Sequence, residues 1–306
     1  MDLVILAAGA GRRFGGLKQF EAVGPKGQCL YYYSVYDAMK AGFTRIIFVV
    51  REDSDRSSIT QSLSSFASFI EFEFVTQTLT VPEGTNMKKK GTTRIKPWGT
   101  THALLQVTPK IYSMFAIVNS DDFYGYDAFK AMAVYLRTQR EDPQAGAVLG
   151  YQLGRTLSEN GPVNRGICEV DNRGYLSAIT ETLQILYSKG RGINVDRAGD
   201  QLPLSPDTTV SMNFWGFHPA LLPKIELNFN SFIQTINDSS HDELCLATTV
   251  DNLIETGDLK VKMVPTKADW FGMTYPEDLS LVRQKILELT QSGNYMTHSE
   301  TNMVHA

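Results

Sequence analysis

Short apolar segments alternate with longer helix-like segments through the first half of the chain. The segments with strand character, rich in β-branched and aromatic residues, are residues 3–7, 45–50, 71–76, 114–119 and 145–151. The segments with helical character are residues 32–41, the stretch after 55, 99–107 and 127–140. Repeated alternation of this kind is typical of a parallel sheet covered by helices on both faces. The first half therefore predicts an α/β, Rossmann-like fold.

The pattern changes after residue 151. Short predicted strands at 167–170 and 175–180 are joined by residues 171–174 (DNRG), a sequence typical of a tight turn. The remaining predictions are a strand at 210–217, helices near 219–236 and 243–255, a strand at 259–265 and a helix at 276–289. We expect antiparallel strands that extend the same sheet. No linker rich in Pro, Gly or Ser divides the chain, so residues 1–290 are predicted to form one domain and the polar residues 291–306 a flexible tail.

The composition narrows the class of substrate. The formal net charge is −4 and the pI is about 5.8, so the overall field attracts neither nucleic acid nor an acidic membrane. No segment reaches the roughly 18–20 apolar residues that would cross a bilayer. The cysteines Cys29, Cys168 and Cys245 have no metal-type spacing, which favours reduced thiols in a cytoplasmic protein. The sequence leaves homo-oligomerisation open.

A glycine-rich loop with three cations follows the first predicted strand. Gly9 and Gly11 allow the backbone to approach a ligand with its amides pointing inward, and Arg12, Arg13 and Lys18 add positive charge. Such a concavity suits phosphate oxygens. The sequence therefore predicts a phosphate-binding loop.

Two familiar phosphate-binding patterns do not fit this loop. A Walker loop requires serine or threonine after its lysine, but Gln19 follows Lys18. The dinucleotide fingerprint requires a third glycine at the position of Phe14. The loop is therefore expected to serve another class of phosphate chemistry.

Two adjacent carboxylates, Asp121 and Asp122, follow the fourth predicted strand. Ligands bind at the carboxyl ends of strands in open parallel sheets. Two adjacent carboxylates after an apolar strand indicate a bound cation, with Asp121 as the preferred ligand and Asp122 as the second choice. An ordinary helix N-cap is the alternative for Asp122.

The segment LAAGAGRRFGGLKQ resembles the LAAGxGxRxxxxK signature of the sugar-phosphate nucleotidyltransferase family. The resemblance implies a nucleotide-binding half at 1–150 and an acceptor-binding half at 151–290. It places the family's catalytic residues on Arg13 and Lys18. The nucleotide-binding residues that it implies are Ala8, Gly9, Ala10, Gly11, Arg12, Gln77, Gly99 and Thr100.

The resemblance continues on the acceptor side. The run NSDDFYG is similar to the family segment whose aspartate binds magnesium, which implies that role for Asp121. The segments RGIC, AITET and SMNFWGF imply that Gly166, Glu181 and Asn213 contact the sugar. The order of these matches along the chain supports the resemblance.

Two departures from the family pattern are apparent. The segment 78–98, with Lys88, Lys89 and Lys90, is longer than usual and is expected to be a solvated loop, with a lid over the triphosphate as the alternative. Gly272 stands where the family has a second metal-binding aspartate. Either Asp269 substitutes for that aspartate, or Asp121 and the phosphates hold the ion.

The resemblance implies a magnesium-dependent enzyme that joins a nucleoside triphosphate to a sugar 1-phosphate. In-line attack on the α-phosphate would release pyrophosphate, and UTP, CTP or dTTP is favoured. One alternative is a cytidylyltransferase for a non-sugar phosphate such as phosphocholine or a polyol phosphate. The other is a non-catalytic sensor of nucleotides or sugar phosphates.

Overall fold

The computed structural model describes residues 1–9, 14, 18–80, 96–195, 201–235 and 242–295. The strands are β1 (Asp2–Leu6), β2 (Arg45–Val50), β3 (Glu71–Thr76), β4 (Phe115–Asn119), β5 (Asp122–Phe123), β6 (Ala145–Gln152), β7 (Val163–Val170), β8 (Leu176–Ser188), β9 (Arg191–Val195), β10 (Gln201–Leu204), β11 (Thr209–Phe217), β12 (Lys260–Pro265) and β13 (Phe271–Gly272). The helices are α1 (Leu30–Ala41), α2 (Arg56–Ser62), α3 (Thr100–Leu105), α4 (Tyr126–Thr138), α5 (Leu222–Thr235), α6 (Leu246–Glu255) and α7 (Asp278–Gln291).

One large sheet organises these elements. In its first half β1 lies between β2 and β4 and runs parallel to both, and β3 runs parallel to β2. In its second half β11 runs antiparallel to β4, β6 and β7, and β8, β9 and β10 continue outward from β7, also antiparallel. β12 pairs in parallel with β6. The predicted architecture, a parallel sheet extended by antiparallel strands, is confirmed.

Helices cover both faces of this sheet. Along β1, Leu3 and Ile5 belong to the hydrophobic core on one face, and Val4 and Leu6 to the core on the other, because successive strand side chains point to opposite sides. α1, α4 and α7 pack on the first face, and α3, α5 and α6 pack on the second. With both faces buried, the interior of β1 has to be apolar, as Leu3, Val4, Ile5 and Leu6 are. Asp2, at the start of the strand, is buried in an ion pair with Arg45.

The strand order creates a crevice beside β1. The chain moves outward from β1 to β2 and β3 and then returns to β4 on the other side of β1. Connections leave the carboxyl ends of β1 and β4 in opposite directions, which opens a ligand site between them. The glycine-rich loop follows β1, and Asp121 and Asp122 follow β4.

Several predicted boundaries need correction. β7 and β8 are longer than the predicted strands at 167–170 and 175–180, and β9 and β10 were not predicted. The outer part of β8 is mostly exposed, so no continuous buried face imposes an alternating apolar pattern on its sequence. In addition, Gln184 interrupts the regular strand with a φ of +58°. α3 has six residues, which is shorter than the predicted 99–107.

The packed part of the chain also continues past residue 290. Tyr295 is buried, and its hydroxyl donates to Asp37 Oδ2 at 2.7 Å. Residues 296–306 of the expected tail lie outside the described residues. Within the part of the chain that the structure describes, no helix is long and apolar enough to cross a bilayer.

Candidate active site

Two adjoining cavities lie at the carboxyl ends of the parallel strands. The larger has a volume of about 770 Å³ and is lined by the residues that follow β1 and β3 and by the start of α3. The smaller has a volume of about 310 Å³, and its lining includes residues of β7, β8 and β11 and the start of α6. We call them the loop cavity and the strand cavity. Lys18, Thr100, Asn119 and Asp121 line both, so they mark the junction.

Two residues of the glycine-rich loop that the structure describes line the loop cavity. Ala8, which is buried, and Gly9, which is exposed, follow β1 and line this cavity. Outside the described residues lie the other predicted members of the loop, Ala10, Gly11, Arg12 and Arg13. Their roles remain predictions.

The structure brings Gln77 and Gly99 together in the loop cavity. Gln77 follows β3 and is 8% exposed, and its Nε2 donates to the Gly99 carbonyl at 3.2 Å. The same Nε2 lies 3.5 Å from Nδ1 of the buried His102. Gly99 has a φ of +97°, and a Cβ there would overlap the backbone of Leu244. Only glycine accepts this positive φ together with this close approach to another backbone segment. Glycine at position 99 therefore allows the start of α3 to pack against Leu244.

Thr100 lies where the two cavities meet. Its Oγ1 accepts a hydrogen bond from the backbone N–H of Leu246 at 2.8 Å, and Leu246 is the first residue of α6. The hydroxyl therefore caps α6 and fixes the start of α3 relative to α6. Thr100 contributes to the site through this arrangement of helix ends.

Lys18 reaches across the junction to Asp121. Its ammonium forms an ion pair with Asp121 Oδ2 and donates to the Met273 carbonyl at 2.9 Å. Side-chain exposures of 22% for Lys18 and 18% for Asp121 leave both accessible from the cavities. The structure thus joins the cation of the loop after β1 to the carboxylate of the loop after β4.

Asp122 lies beside Asp121 but is more deeply buried. It belongs to β5, and its Oδ2 accepts hydrogen bonds from Asn119 Nδ2 at 2.8 Å and from the Tyr124 hydroxyl at 3.2 Å. Burial, reinforced by the negative charge of Asp121, raises the pKa of the Asp122 carboxyl. The N-cap alternative is wrong, because α4 begins at Tyr126 after Gly125.

Gly272 leaves room for the Asp122 carboxylate. β5 and β13 form a two-stranded antiparallel sheet in which Gly272 is opposite Asp122. A Cβ at Gly272 would overlap Asp122 Oδ1. The alternative in which Asp269 replaces the missing aspartate is wrong, because the Asp269 side chain is 74% exposed, pairs with Arg155 at 3.4 Å and lines a different cavity.

The predicted acceptor residues all line the strand cavity. Gly166 on β7 is the register partner of Glu181 on β8, and a Cβ at Gly166 would lie 2.8 Å from Ile179 Cδ1. Burial raises the pKa of the Glu181 carboxyl, and the positive charge of Arg165 opposes that shift. Asn213 lies in an irregular stretch of β11 with a φ of +62°, and its amide contacts Asn119.

The sequence argument missed several residues of the strand cavity. Arg165 is 8% exposed, and its guanidinium lies 5.0 Å from the centre of the Trp270 ring. Arg165 Nε donates to Thr156 Oγ1 at 3.1 Å. Asn119 connects Asp122 to Asn213. The sequence does contain a signal for Asn119, because it is the polar last residue of an otherwise apolar strand.

The carboxylate oxygens suit a hard divalent cation. Asp121 and Asp122 are adjacent, and Mg²⁺ is usually held in proteins by one or two carboxylates together with water and substrate phosphates. Among the described residues, no group of three or more His, Cys, Asp or Glu side chains could hold a metal ion. The two adjacent carboxylates, Asp121 and Asp122, fit a cation whose other ligands are water and substrate phosphates.

Similar solved structures agree with the fold. The inositol-1-phosphate CTP transferase from T. maritima matches with a TM-score of 0.61 and 16% identity, over 94% of this chain and 96% of that one. A Bacillus anthracis protein assigned as a glucose-1-phosphate thymidylyltransferase, in complex with a sucrose, gives 0.62 and 14%, over 99% of both chains. A UDP-glucose pyrophosphorylase complexed with UDP-glucose gives 0.60 and 15%, over 94% of this chain and 98% of that one.

No protein-family model and no curated protein sequence matches the chain. At 14–16% identity the structural likeness establishes the fold, and that fold is shared with nucleotidyltransferases that act on sugar or inositol phosphates.

Proposed function

We propose that this protein transfers a nucleoside monophosphate from a nucleoside triphosphate to a sugar 1-phosphate and releases pyrophosphate. The observation that carries the proposal is the junction of the two cavities, where Lys18 and Asp121 form an ion pair beside Asp122. A nucleotide in the loop cavity and an acceptor in the strand cavity would meet at this junction. The similar structures support the same reaction class.

The chemistry needs little from the protein beyond positioning and charge. An oxygen of the acceptor phosphate forms a bond to the α-phosphorus, and the bond from that phosphorus to the β-phosphate bridging oxygen breaks. The acceptor phosphate is largely ionised near neutral pH, so no strong base is required. Lys18 would neutralise charge that grows on the α-phosphate, and Arg13 is proposed to hold the departing pyrophosphate.

We propose magnesium as the cofactor, with Asp121 as its principal carboxylate ligand. The cation would neutralise phosphate charge and hold the two reacting phosphates together. Lys18, which already contacts Asp121, would orient that carboxylate. Free thiols at all three cysteines are compatible with the proposed cytoplasmic location.

The strand cavity favours a hydroxylated acceptor over phosphocholine. A quaternary ammonium group is usually held against aromatic faces. Among the described residues that line this cavity, Trp270 is the only aromatic one, and its ring already has the Arg165 guanidinium beside it. Glu181 and Asn164 offer oxygen and nitrogen atoms to hydroxyl groups instead.

A polyol phosphate is the second candidate acceptor. Its hydroxyl groups could use the same side chains as a sugar ring, and one similar structure is an inositol-1-phosphate CTP transferase. The base is proposed to be uracil, thymine or cytosine, with Gln77 and Gly99 beside it.

Pyrophosphate release tests the proposal. Purified protein would be assayed with magnesium and each of five nucleoside triphosphates, crossed with sugar 1-phosphates, polyol phosphates and phosphocholine. We expect release that requires one triphosphate and one hydroxylated acceptor together. Absence of release with every pair, while a nucleotide still binds by calorimetry, would favour the non-catalytic sensor.

A further inference from the structure

Three hydrogen bonds in sequence connect a buried tryptophan to Asp122. Trp215 Nε1 donates to Asn213 Oδ1 at 2.9 Å. Asn213 Nδ2 donates to Asn119 Oδ1 at 2.8 Å. Asn119 Nδ2 in turn donates to Asp122 Oδ2 at 2.8 Å. We call these three bonds the amide chain.

The direction of the amide chain is fixed at its start. An indole N–H can only donate, so Asn213 has to present its oxygen to Trp215 and its nitrogen to Asn119. Asn119 then has to present its nitrogen to Asp122. The amide chain therefore ends in an N–H that is directed at one particular carboxylate oxygen.

The backbone at Asn213 is shaped for this arrangement. Its φ of +62° lies in the left-handed region, and the pairing of β11 with β6 changes register between Ser211 and Trp215. Asparagine tolerates this conformation better than most residues, but it is sparsely populated even so. The irregularity turns the Asn213 amide toward Asn119 on the neighbouring strand β4.

The two carboxylate oxygens of Asp122 have different surroundings. Oδ2 is held by Asn119 and Tyr124, whereas Oδ1 accepts no hydrogen bond from the described residues. Asp122 is 7% exposed and lines the strand cavity beside Asp121. The missing Cβ of Gly272 provides the space that Oδ1 occupies.

We infer that the amide chain positions Asp122 as a second carboxylate for the divalent cation, and that Asn213 acts on the cation site through Asn119. The inference rests on the proposed function for the presence of the cation. It assigns Asn213 a different role from the direct contact with the acceptor that the resemblance implies. Trp215 and Asn119 become positioning residues, which neither the motif nor the comparisons indicated.

Binding of Mn²⁺ alone to the full-length protein tests the inference. The signal of free Mn²⁺ in electron paramagnetic resonance gives its affinity without any nucleotide or acceptor. We expect Trp215→Phe and Asn213→Gly each to weaken Mn²⁺ binding about tenfold, as loss of an outer partner of a metal ligand does. Asn213→Gly keeps the left-handed backbone accessible, so it tests the amide chain even if Trp215→Phe does not fold.

Trp98→Phe is the matched control. Trp98 is also fully buried, and its Nε1 also donates one hydrogen bond of 2.9 Å, but to the backbone carbonyl of Leu79. The expected Mn²⁺ affinity of Trp98→Phe equals that of the wild type. An equal loss in all three variants would mean that general loosening weakens the site, and would overturn the inference.

Acceptor kinetics separate positioning from direct contact. We expect Asn213→Gly to lower kcat at subsaturating magnesium and to leave the acceptor KM within twofold of wild type. A raised acceptor KM with unchanged Mn²⁺ affinity would make Asn213 a direct ligand and overturn the inference, with the transfer reaction intact. Pyrophosphate release by the wild type that needs no divalent cation would also overturn it, again without refuting the reaction.

Discussion

The two cavities that meet at Lys18 are built in different ways. The described wall of the loop cavity depends on loops and helix starts, as at Gly9 and Gly99, where the backbone itself lines the cavity. The strand cavity depends on side chains from paired strands, such as Glu181, whose backbone position is fixed by its register with Gly166. A wall of backbone suits phosphates in general, whereas a wall of side chains distinguishes one acceptor from another.

The largest expected effect comes from removing the Lys18 side chain at the junction of the two cavities. We predict that Lys18→Ala lowers kcat about 100- to 1000-fold, because it removes a preorganised cation at the reacting phosphate. Initial rates of pyrophosphate release would measure the loss. Lys224→Ala is the control, since Lys224 forms a 2.7 Å ion pair with Asp258 and neither residue lines either cavity. A loss below tenfold in Lys18→Ala would contradict the assigned role.

A second prediction concerns the space beside Asp122. Gly272→Ala is expected to lower kcat by about 10- to 100-fold, because its Cβ displaces a carboxylate proposed to hold the cation. Overpacking should also reduce the free energy of unfolding by about 1–3 kcal/mol. Gly146→Ala separates the two effects, because the atoms nearest to its Cβ would belong to Leu259 and Phe217 in the core. Similar kcat values in the two variants would show that stability alone explains the loss.

A pair of substitutions tests the division of labour between the cavities. Glu181→Gln should raise the acceptor KM about tenfold and leave the nucleotide KM unchanged, because it weakens hydrogen bonds to a charged group. Gln77→Ala should raise the nucleotide KM by about three- to tenfold and leave the acceptor KM unchanged. Steady-state kinetics with each substrate varied in turn would measure both. If each variant changed both KM values equally, the assignment of one substrate to each cavity would be wrong.

The smallest predicted effect is a difference in pH dependence. Since burial raises the pKa of Glu181, this carboxyl takes up a proton at a higher pH than an exposed glutamate does. The acceptor KM of the wild type should therefore increase as pH falls from 7 to 5. The acceptor KM of Glu181→Gln should increase by a few-fold less, because in that variant only the acceptor phosphate takes up a proton. Parallel KM profiles for the two proteins would contradict a role for the Glu181 carboxylate.

The sequence predicted best where one physical requirement acted on a continuous segment. The predicted strands at 45–50 and 71–76 match β2 and β3 at both ends. β2 lies between parallel neighbours and under packed helices, which require apolar residues there. β3 lies at the edge of the sheet, and its alternation of glutamate and phenylalanine is typical of a half-buried strand. The sequence placed Lys18 and Asp121 in the loops after the first and fourth strands. The ion pair between them was not predicted, because it depends on β1 and β4 being neighbours in the sheet.

The contacts that the sequence did not predict depend on pairing between distant strands. Asn119 and Asn213 are 94 residues apart and meet only because β11 pairs with β4. The proximity of Gly272 and Asp122 depends on the short sheet of β5 and β13, whose two-residue strands carry no periodic signal. The pattern of apolar residues does not encode such pairings, so the sequence argument could note the glycine without explaining it.

The fate of labelled phosphate tests the central claim most directly. The protein would be incubated with magnesium, an active sugar 1-phosphate and triphosphate labelled with ³²P at either the α or the γ position. We expect the α label to appear in the nucleotide-sugar product and the γ label to appear only in pyrophosphate. Recovery of the γ label on the acceptor would instead identify a kinase and contradict attack on the α-phosphorus.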